Sequence, residues 1–153
     1  MKKNNSYVVN VEAAIFKQDK WLMGKRSDQE NHAAGLYSMI GGKVENAQND
    51  NNILESTLKR EVIEEVGITV CDDIYYVKSS SFIADFGSTV IDIVLLCRYN
   101  GGEPRALQPE ELSAVAWMTI DEILADENIP TYTKESLKIA ERMRLKLQAG
   151  ALL

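Results

Sequence analysis

The chain has few of the residues that metal and redox sites most often require: one histidine and two cysteines among 153 residues. A single histidine, His32, excludes sites that need two. Cys71 and Cys97 cannot form a four-cysteine zinc site or a Cys-x-x-Cys redox pair. Two such thiols suit a reducing compartment, so we expect a cytoplasmic protein. Apolar runs such as Ile93–Cys97 are too short to cross a bilayer, and no signal sequence is evident, so no membrane association is expected.

Basic residues are also fewer than acidic residues. The chain carries 17 Lys and Arg against 23 Asp and Glu, which gives a net charge of −6. This balance disfavours a nucleic acid polymer as partner, because such binding depends on a basic surface. A phosphorylated small molecule would be repelled at long range, so a cation would have to assist its binding. The length predicts a single domain over residues 1–153, with a core over about 6–145.

Short strands and helices alternate along the chain. Segments rich in β-branched and aromatic residues predict strands at Tyr7–Phe16, Trp21–Arg26, Leu36–Ile40, Ile74–Ile83, Thr89–Tyr99 and Val115–Met118. Apolar residues at helical spacing predict helices at Asn52–Val66, Ile120–Ala125 and about Thr133–Leu147. Strands mixed with helices and joined partly by hairpins predict an α/β sandwich with a mixed sheet.

The helix over Asn52–Val66 carries clear signals at its two ends. Asn52 and Glu55, three residues later, form a predicted capping box. Gly67 stands where a glycine ends a helix in the left-handed conformation. Thr119 is likewise expected to cap the short helix Ile120–Ala125.

Three glutamates crowd one side of this helix. Glu61, Glu64 and Glu65 fall within an arc of about 100° at the border of the apolar stripe. Like charges at this spacing repel each other, and partial burial raises their cost. A divalent cation would relieve both effects, because carboxylate oxygens are hard ligands. Arg60 lies one turn before Glu64 and can hold it by an ion pair. The alternative is a solvated acidic helix face.

The residues around these glutamates resemble a known signature. Gly42–Glu45, followed by Arg60–Ile68 (Arg-Glu-Val-Ile-Glu-Glu-Val-Gly-Ile), resembles the box of the Nudix hydrolases. The second half matches at every fixed position, and the resemblance extends over about residues 6–145. It implies a Nudix-type α/β/α sandwich with a mixed β-sheet.

The first half of the box departs from the family pattern. Seventeen residues separate Gly42 from Arg60, whereas the family has thirteen, so the loop is four residues longer. The first glutamate of the box falls on Asn52 when counted back from Arg60, or on Gln48 when counted forward from Gly42. Neither residue is acidic. We expect the extra residues to bulge outward within Asn46–Asn52 and leave the metal site intact.

The resemblance implies a metal-dependent hydrolase that uses Mg²⁺ or Mn²⁺. Its substrate would be a nucleoside diphosphate linked to another group, such as a nucleoside triphosphate, a nucleotide sugar or ADP-ribose. The partner is therefore a nucleotide-like small molecule, and a homodimer is one assembly that the fold forms. The alternative is a catalytically weak module that keeps the fold and senses a nucleotide.

The resemblance also assigns roles to individual residues. Glu61 is a further metal ligand or the catalytic base. A second acid from the loop before Trp117, Glu110 or Glu111, acts as general base or outer ligand, unless these two residues only open a turn. The implied metal ligands are the Gly41 carbonyl, Glu61, Glu64 and Glu65.

Other side chains have open assignments. Arg26 and Lys43 bind substrate phosphate or form surface ion pairs, and His32 is exposed or contacts substrate. Met39 and Trp117 are assigned to the core. Four aromatic residues either stack on a nucleobase or pack in the core: Tyr37, Phe82, Phe86 and Tyr132.

Overall fold

The computed structural model describes residues 6–150. Residues 1–5, where no signal sequence is expected, lie outside the described part. The strands are β1 (Tyr7–Lys17), β2 (Lys20–Arg26), β3 (Tyr37–Ser38), β4 (Ile40–Lys43), β5 (Thr69–Ile83), β6 (Thr89–Gly101) and β7 (Leu112–Thr119). The helices are α1 (Ile53–Val66), α2 (Ile120–Ala125) and α3 (Thr131–Gln148). In residues 6–150, no helix is both long and apolar enough to cross a membrane.

The strands of the described residues form one mixed sheet. Its order is β3-β2-β1-β6-β5, with β4 added to β1 and β7 added to β2. The pairing of β1 with β6 is parallel from Tyr7 to Phe16, and the other pairings are antiparallel. The mixed sheet predicted from the sequence is therefore confirmed.

Helices cover the two faces of this sheet. Alternate residues of β1 separate the faces, since Val11 and Ile15 pack with α1 whereas Ala14 and Phe16 pack with α2 and α3. The first cluster includes Leu58, Val62 and Val66 of α1, and the second includes Ile123, Leu137 and Ala140 of the other helices. The predicted α/β/α sandwich is confirmed.

The capping box predicted for α1 is wrong. Asn52 has a left-handed backbone, with φ 56°, and its side chain makes no capping hydrogen bond. A capping side chain needs an extended backbone to reach the free N–H groups of the first turn. The other two end signals are confirmed: Gly67 closes α1 in the left-handed conformation, and Thr119 forms a full capping box with Glu122.

The segment before α1 differs from the single strand predicted over Leu36–Ile40. Tyr37–Ser38 pairs with β2, whereas Ile40–Lys43 pairs with β1. The second strand thus runs through Gly41 and Gly42 rather than ending there. A Cβ atom at Gly41 would overlap the Val11 carbonyl oxygen of β1, so the pairing requires glycine at that position.

A buried ion pair fastens α3 to the β1–β2 hairpin. Arg144 is 4% exposed and pairs with Glu141 one turn earlier. Glu141 also accepts a hydrogen bond from Trp21 Nε1 at 2.8 Å, and Arg144 donates to the Gln18 carbonyl at 3.1 Å. Each charge is therefore compensated, which a buried ion pair requires.

Substitution of Glu141 by alanine is expected to lower the free energy of unfolding by about 3 kcal/mol, because it leaves Arg144 buried and uncompensated. Glu135→Ala is the matched control, since the Glu135–Lys138 pair on the same helix is exposed. The control should cost about 0.5 kcal/mol or less. Urea unfolding of the two variants checks this, and equal losses would contradict the buried pairing.

The long loop before α1 lies at the surface, as expected. Residues 45–52 are exposed, and Asn46, Asn49 and Asn52 adopt positive φ angles of 54°, 60° and 56°. Asparagine tolerates this conformation better than most residues, so the polar composition suits a looped excursion.

Removal of four residues from Asn46–Asn52 is expected to leave the fold intact and to change the free energy of unfolding by about 1 kcal/mol or less. Circular dichroism and urea unfolding would measure this. Loss of folding would show that the loop is structural.

Candidate functional site

The glycine strand β4 lies directly against α1. A Cβ atom at Gly42 would overlap the carboxylate of Glu61, so glycine leaves the space that this carboxylate occupies. Arg60 joins the two elements, because it donates to the Lys43 carbonyl at 3.1 Å. The same guanidinium lies 2.8 Å from Glu61 and 3.2 Å from Glu64. The predicted Arg60–Glu64 pair is therefore present.

Glu65 is the most buried acid of the cluster, with 8% of its surface exposed. Burial, a side-chain hydrogen bond to Glu111 and the charges of Glu61 and Glu111 together raise its pKa to about 9. The backbone N–H of Gly41 donates to Glu65 and opposes this shift. This carboxylate thus lies between the glycine strand and two other acids.

Glu61 and Glu64 occupy the more open side. Burial raises the pKa of Glu61, Arg60 lowers it, and the charges of Glu64 and Glu111 raise it again. The side chain of Glu61 is 12% exposed and that of Glu64 is 47% exposed. The helix therefore presents its three carboxylates at graded depth from core to solvent.

The loop before β7 brings one of its two candidate acids to this cluster. The Leu107 N–H donates to the Glu65 carbonyl at 2.9 Å and fastens the loop to the end of α1. Glu111 follows and lies close enough to Glu65 for a side-chain hydrogen bond. Glu110 lies exposed in the turn that the Gln108 carbonyl closes. Of the two acids, Glu111 is the one that joins the cluster.

The residues present fit a hard divalent cation. The candidate ligands are carboxylates and a backbone carbonyl, which are the donors that Mg²⁺ prefers. Their burial against one another is unfavourable unless a proton or a cation neutralises them. Within residues 6–150, no group of three or more acidic, histidine or cysteine side chains is placed so that it could hold a metal ion without rearrangement. The Arg60 contacts hold Glu61 and Glu64 on the side facing this arginine.

A second polar group, missed by the sequence analysis, lies on the opposite face of the sheet. Glu12 pairs in register with Gly41, and burial together with the Asp92 carboxyl raises its pKa well above the usual value. Asn10 donates to Asp92 at 2.8 Å. The sequence pattern of β1 could have indicated this group. Side chains alternate between the two faces of a strand, which puts Asn10 and Glu12 on the same face as the buried Phe16.

The candidate phosphate-binding residues take different positions. Arg26 pairs with Glu30 at 3.2 Å and donates to the His32 carbonyl at 2.8 Å, and its charge also acts on Glu12. Lys43 has its ammonium 5.3 Å from the centroid of the Phe86 ring. These two residues are therefore not gathered with the three helix glutamates, and a phosphate contact for either stays a prediction.

The remaining assignments divide clearly. His32 is exposed, with its Nδ1 atom 4.0 Å from Asp85. Met39 is buried and Trp117 packs against the α1-side core, as predicted. Tyr37 packs at the margin of the α3-side core. The core alternative is wrong for three aromatic residues, which are exposed: Phe82 (48%), Phe86 (64%) and Tyr132 (58%).

A family model described as the NUDIX domain matches residues 6–140. The chain belongs to the Nudix family. It is 32% identical over 120 residues to the uncharacterized Nudix hydrolase YfcD of Escherichia coli. The aligned region covers 78% of this chain and 61% of that protein. The chain thus spans about three-fifths of the length of such curated Nudix relatives.

Solved Nudix structures share the fold. The MutT protein of Methanosarcina mazei is 25% identical, with a TM-score of 0.74 over 94% of this chain and 99% of that one. The NUDIX domain of Shewanella oneidensis NrtR, solved with ADP ribose, is 17% identical, with a TM-score of 0.66 over 93% of this chain and 89% of that one. The second likeness concerns the fold alone.

Gly42→Ala tests the contact between β4 and α1. The added methyl meets the mobile end of the Glu61 side chain, so we expect this carboxylate to be displaced while the fold survives. Wild type should gain about 2.7 kcal/mol of stability when Mg²⁺ or Mn²⁺ is present at roughly 100 times its Kd. The variant should lose most of this gain.

Gly101→Ala is the matched control, because its methyl would make an ordinary contact with Thr69 at 3.7 Å. Thermal unfolding with and without metal measures the two variants. An unchanged metal response in Gly42→Ala would contradict the placement of Glu61 in the metal site.

Proposed function

We propose that the protein is a metal-dependent hydrolase that cleaves the diphosphate linkage of a nucleoside diphosphate joined to another group. The observation that carries this proposal is the gathering of Glu61, Glu65 and Glu111 at the glycine strand β4. Such a cluster is unfavourable for folding alone, so its retention favours a role in holding cations. Membership of the Nudix family supports the same reaction.

The ligand roles follow from position. Gly41 would contribute its carbonyl, and Glu61, Glu64 and Glu65 their carboxylates, to Mg²⁺ or Mn²⁺. A divalent cation supplies neutralisation of phosphate charge and acidifies water. Arg60 is a positioning residue, because it holds Glu61 and Glu64 beside the Lys43 carbonyl. The ordering of these groups before substrate arrives favours catalysis, since no reorganisation is then needed.

The general base is best assigned to Glu111. It lies beside Glu65 but comes from a separate loop, so it can accept a proton from water without leaving the helix cluster short of a ligand. Glu61 is the other candidate of the family pattern. Glu110 is better placed to form the turn that the Gln108 carbonyl closes.

A nucleotide-sensing module is the second candidate. It is favoured by the absence of an acid at the first glutamate of the box, where Asn52 and Gln48 are the possible equivalents. A protein of the same fold binds ADP ribose, so nucleotide binding suits this architecture. The box residues of α1 are nevertheless all present: Arg60, Glu61, Glu64 and Glu65. A sensor has no need of these clustered carboxylates, which are unfavourable for folding.

Glu64→Gln tests the enzyme against the sensor. Wild type is expected to hydrolyse at least one member of a panel of nucleoside triphosphates, nucleotide sugars, ADP-ribose and dinucleotides, and chelation should abolish the activity. The variant should lose roughly 100-fold or more in kcat/KM, because one ligand carboxylate is neutralised. Phosphate release and chromatography of products measure this.

Glu55→Gln is the matched control, since Glu55 lies in the first turn of the same helix, away from the cluster. It should keep its activity. Binding of nucleotides by wild type without turnover of any would favour the sensor, and full activity in Glu64→Gln would overturn the metal assignment.

A further inference from the structure

A row of polar side chains crosses the sheet on the face opposite α1. Lys43 of β4 pairs in register with Asn10 of β1, Asn10 with Asp92 of β6, and Asp92 with Ser80 of β5. Partners in register lie on the same face of a sheet. This face also carries the α3-side core, but here the residues are half-buried or exposed rather than covered. We call these four residues the polar row.

The centre of the polar row offers hydrogen-bond acceptors to a ligand. The Asn10 amide nitrogen already donates to Asp92 at 2.8 Å. Asp92 also shares a side-chain hydrogen bond with Glu12, so the Asn10 carbonyl oxygen and the Asp92 carboxyl remain as acceptors toward a ligand. An amide carbonyl and an ionised carboxylate accept hydrogen bonds and do not donate them. A ligand group that binds here must therefore bring N–H or O–H donors.

Exposed aromatic rings border the polar row. Phe82 of β5 pairs in register with Val90, next to Asp92 on the same face. The β5–β6 turn carries Phe86 over to Lys43, whose ammonium lies 5.3 Å from the ring centroid. Phe82 and Phe86 are 48% and 64% exposed. Exposed rings beside a set of acceptors suit a flat heterocycle, which stacks on its faces and donates from its edge.

The polar row and the carboxylate cluster share one narrow strand. Gly41 faces Glu12 in register, whereas the Gly42 Cα lies against Glu61 on the α1 side. Strand β4 has four residues, and in the described part of the chain it pairs with β1 alone; its Gly41 N–H and Lys43 carbonyl bind Glu65 and Arg60 of α1. Neighbouring strands lie about 5 Å apart. A nucleotide can therefore place its phosphates at the cluster and its base at the polar row.

We propose that Asn10, Asp92 and Phe86 form the base-recognition site and select a nucleotide whose base bears an amino group. This inference rests on the proposed function, because it concerns the non-phosphate half of the same substrate. The base stacks on Phe86 and donates its amino N–H to the Asp92 and Asn10 oxygens. A base that carries a carbonyl group in place of the amino group would put its oxygen against the Asp92 and Asn10 oxygens. Such a base binds more weakly, because these acceptors are left without a hydrogen-bond donor.

Matched pairs of nucleoside monophosphates test the selection, because they contain no diphosphate bond and cannot be turned over. Calorimetry with Mg²⁺ would compare AMP with IMP, GMP with IMP, and CMP with UMP. The amino member of at least one pair should bind about tenfold tighter or more. Equal affinity within all three pairs, or preference for the member that lacks the amino group, would overturn the proposal.

Two variants distinguish the hydrogen bonds to the edge of the base from its stacking on Phe86. Asp92→Asn replaces an acceptor by a donor of the same shape, so it should abolish or reverse the preference within the pair. Phe86→Ala should weaken the two members of the pair by about the same factor, roughly tenfold, and keep the preference. Phe86 is exposed, so its removal should not unfold the chain.

Asp73→Asn is the matched control, because it makes the same change at an exposed position of β5 outside the polar row. It should leave affinity and preference unchanged. A preference that survives Asp92→Asn would overturn the assignment. Absence of hydrolysis in the substrate panel, with the binding preference intact, would refute the proposed function and leave this inference standing.

Discussion

The close approach of α1 to the glycine strand is the constraint on which the site depends. Gly41 has no space for a side chain because the Val11 carbonyl lies against it, and Gly42 has none because the Glu61 carboxylate fills that space. Arg60 then joins the helix to the Lys43 carbonyl. A larger residue at Gly41 would push β4 away from β1, and one at Gly42 would displace the Glu61 carboxylate. In each case the carboxylates would lose their position relative to the backbone of Gly41.

This approach has an electrostatic consequence. Glu65 lies in a poorly solvated position beside two other acids, and its pKa rises to about 9 as a result. A helix selected for stability alone would carry apolar residues there. Part of the net charge of −6 is therefore local, concentrated where a cation can neutralise it. The overall charge opposes polyanions, but it does not oppose a phosphorylated small molecule that binds together with metal.

Much of this arrangement could be predicted from the sequence, and the failures have physical causes. Helical periodicity and the Arg60–Ile68 pattern fix α1, its glycine end and the three clustered acids, because these signals are local. The Asn52 cap failed because a cap depends on the backbone angle of the preceding loop, which residue type does not determine. Glu12 and Asp92 were missed because they are 80 residues apart in the chain and meet only through parallel pairing of β1 with β6.

The exposure of Phe82 follows from the length of the central strands, whereas Phe86 lies in the β5–β6 turn and Tyr132 in the first turn of α3. Strand β1 spans 11 residues, and its second half, at Ala14 and Phe16, is the part that α2 and α3 cover. Its first half continues beyond the helices, beside β4, so the sheet face at Asn10 is left partly open. Aromatic and β-branched residues at this end of the sheet, such as Phe82, have no helix to pack against. An aromatic residue in a strand thus predicts burial only where a second layer reaches it, and here the second layer stops short of the glycine strand.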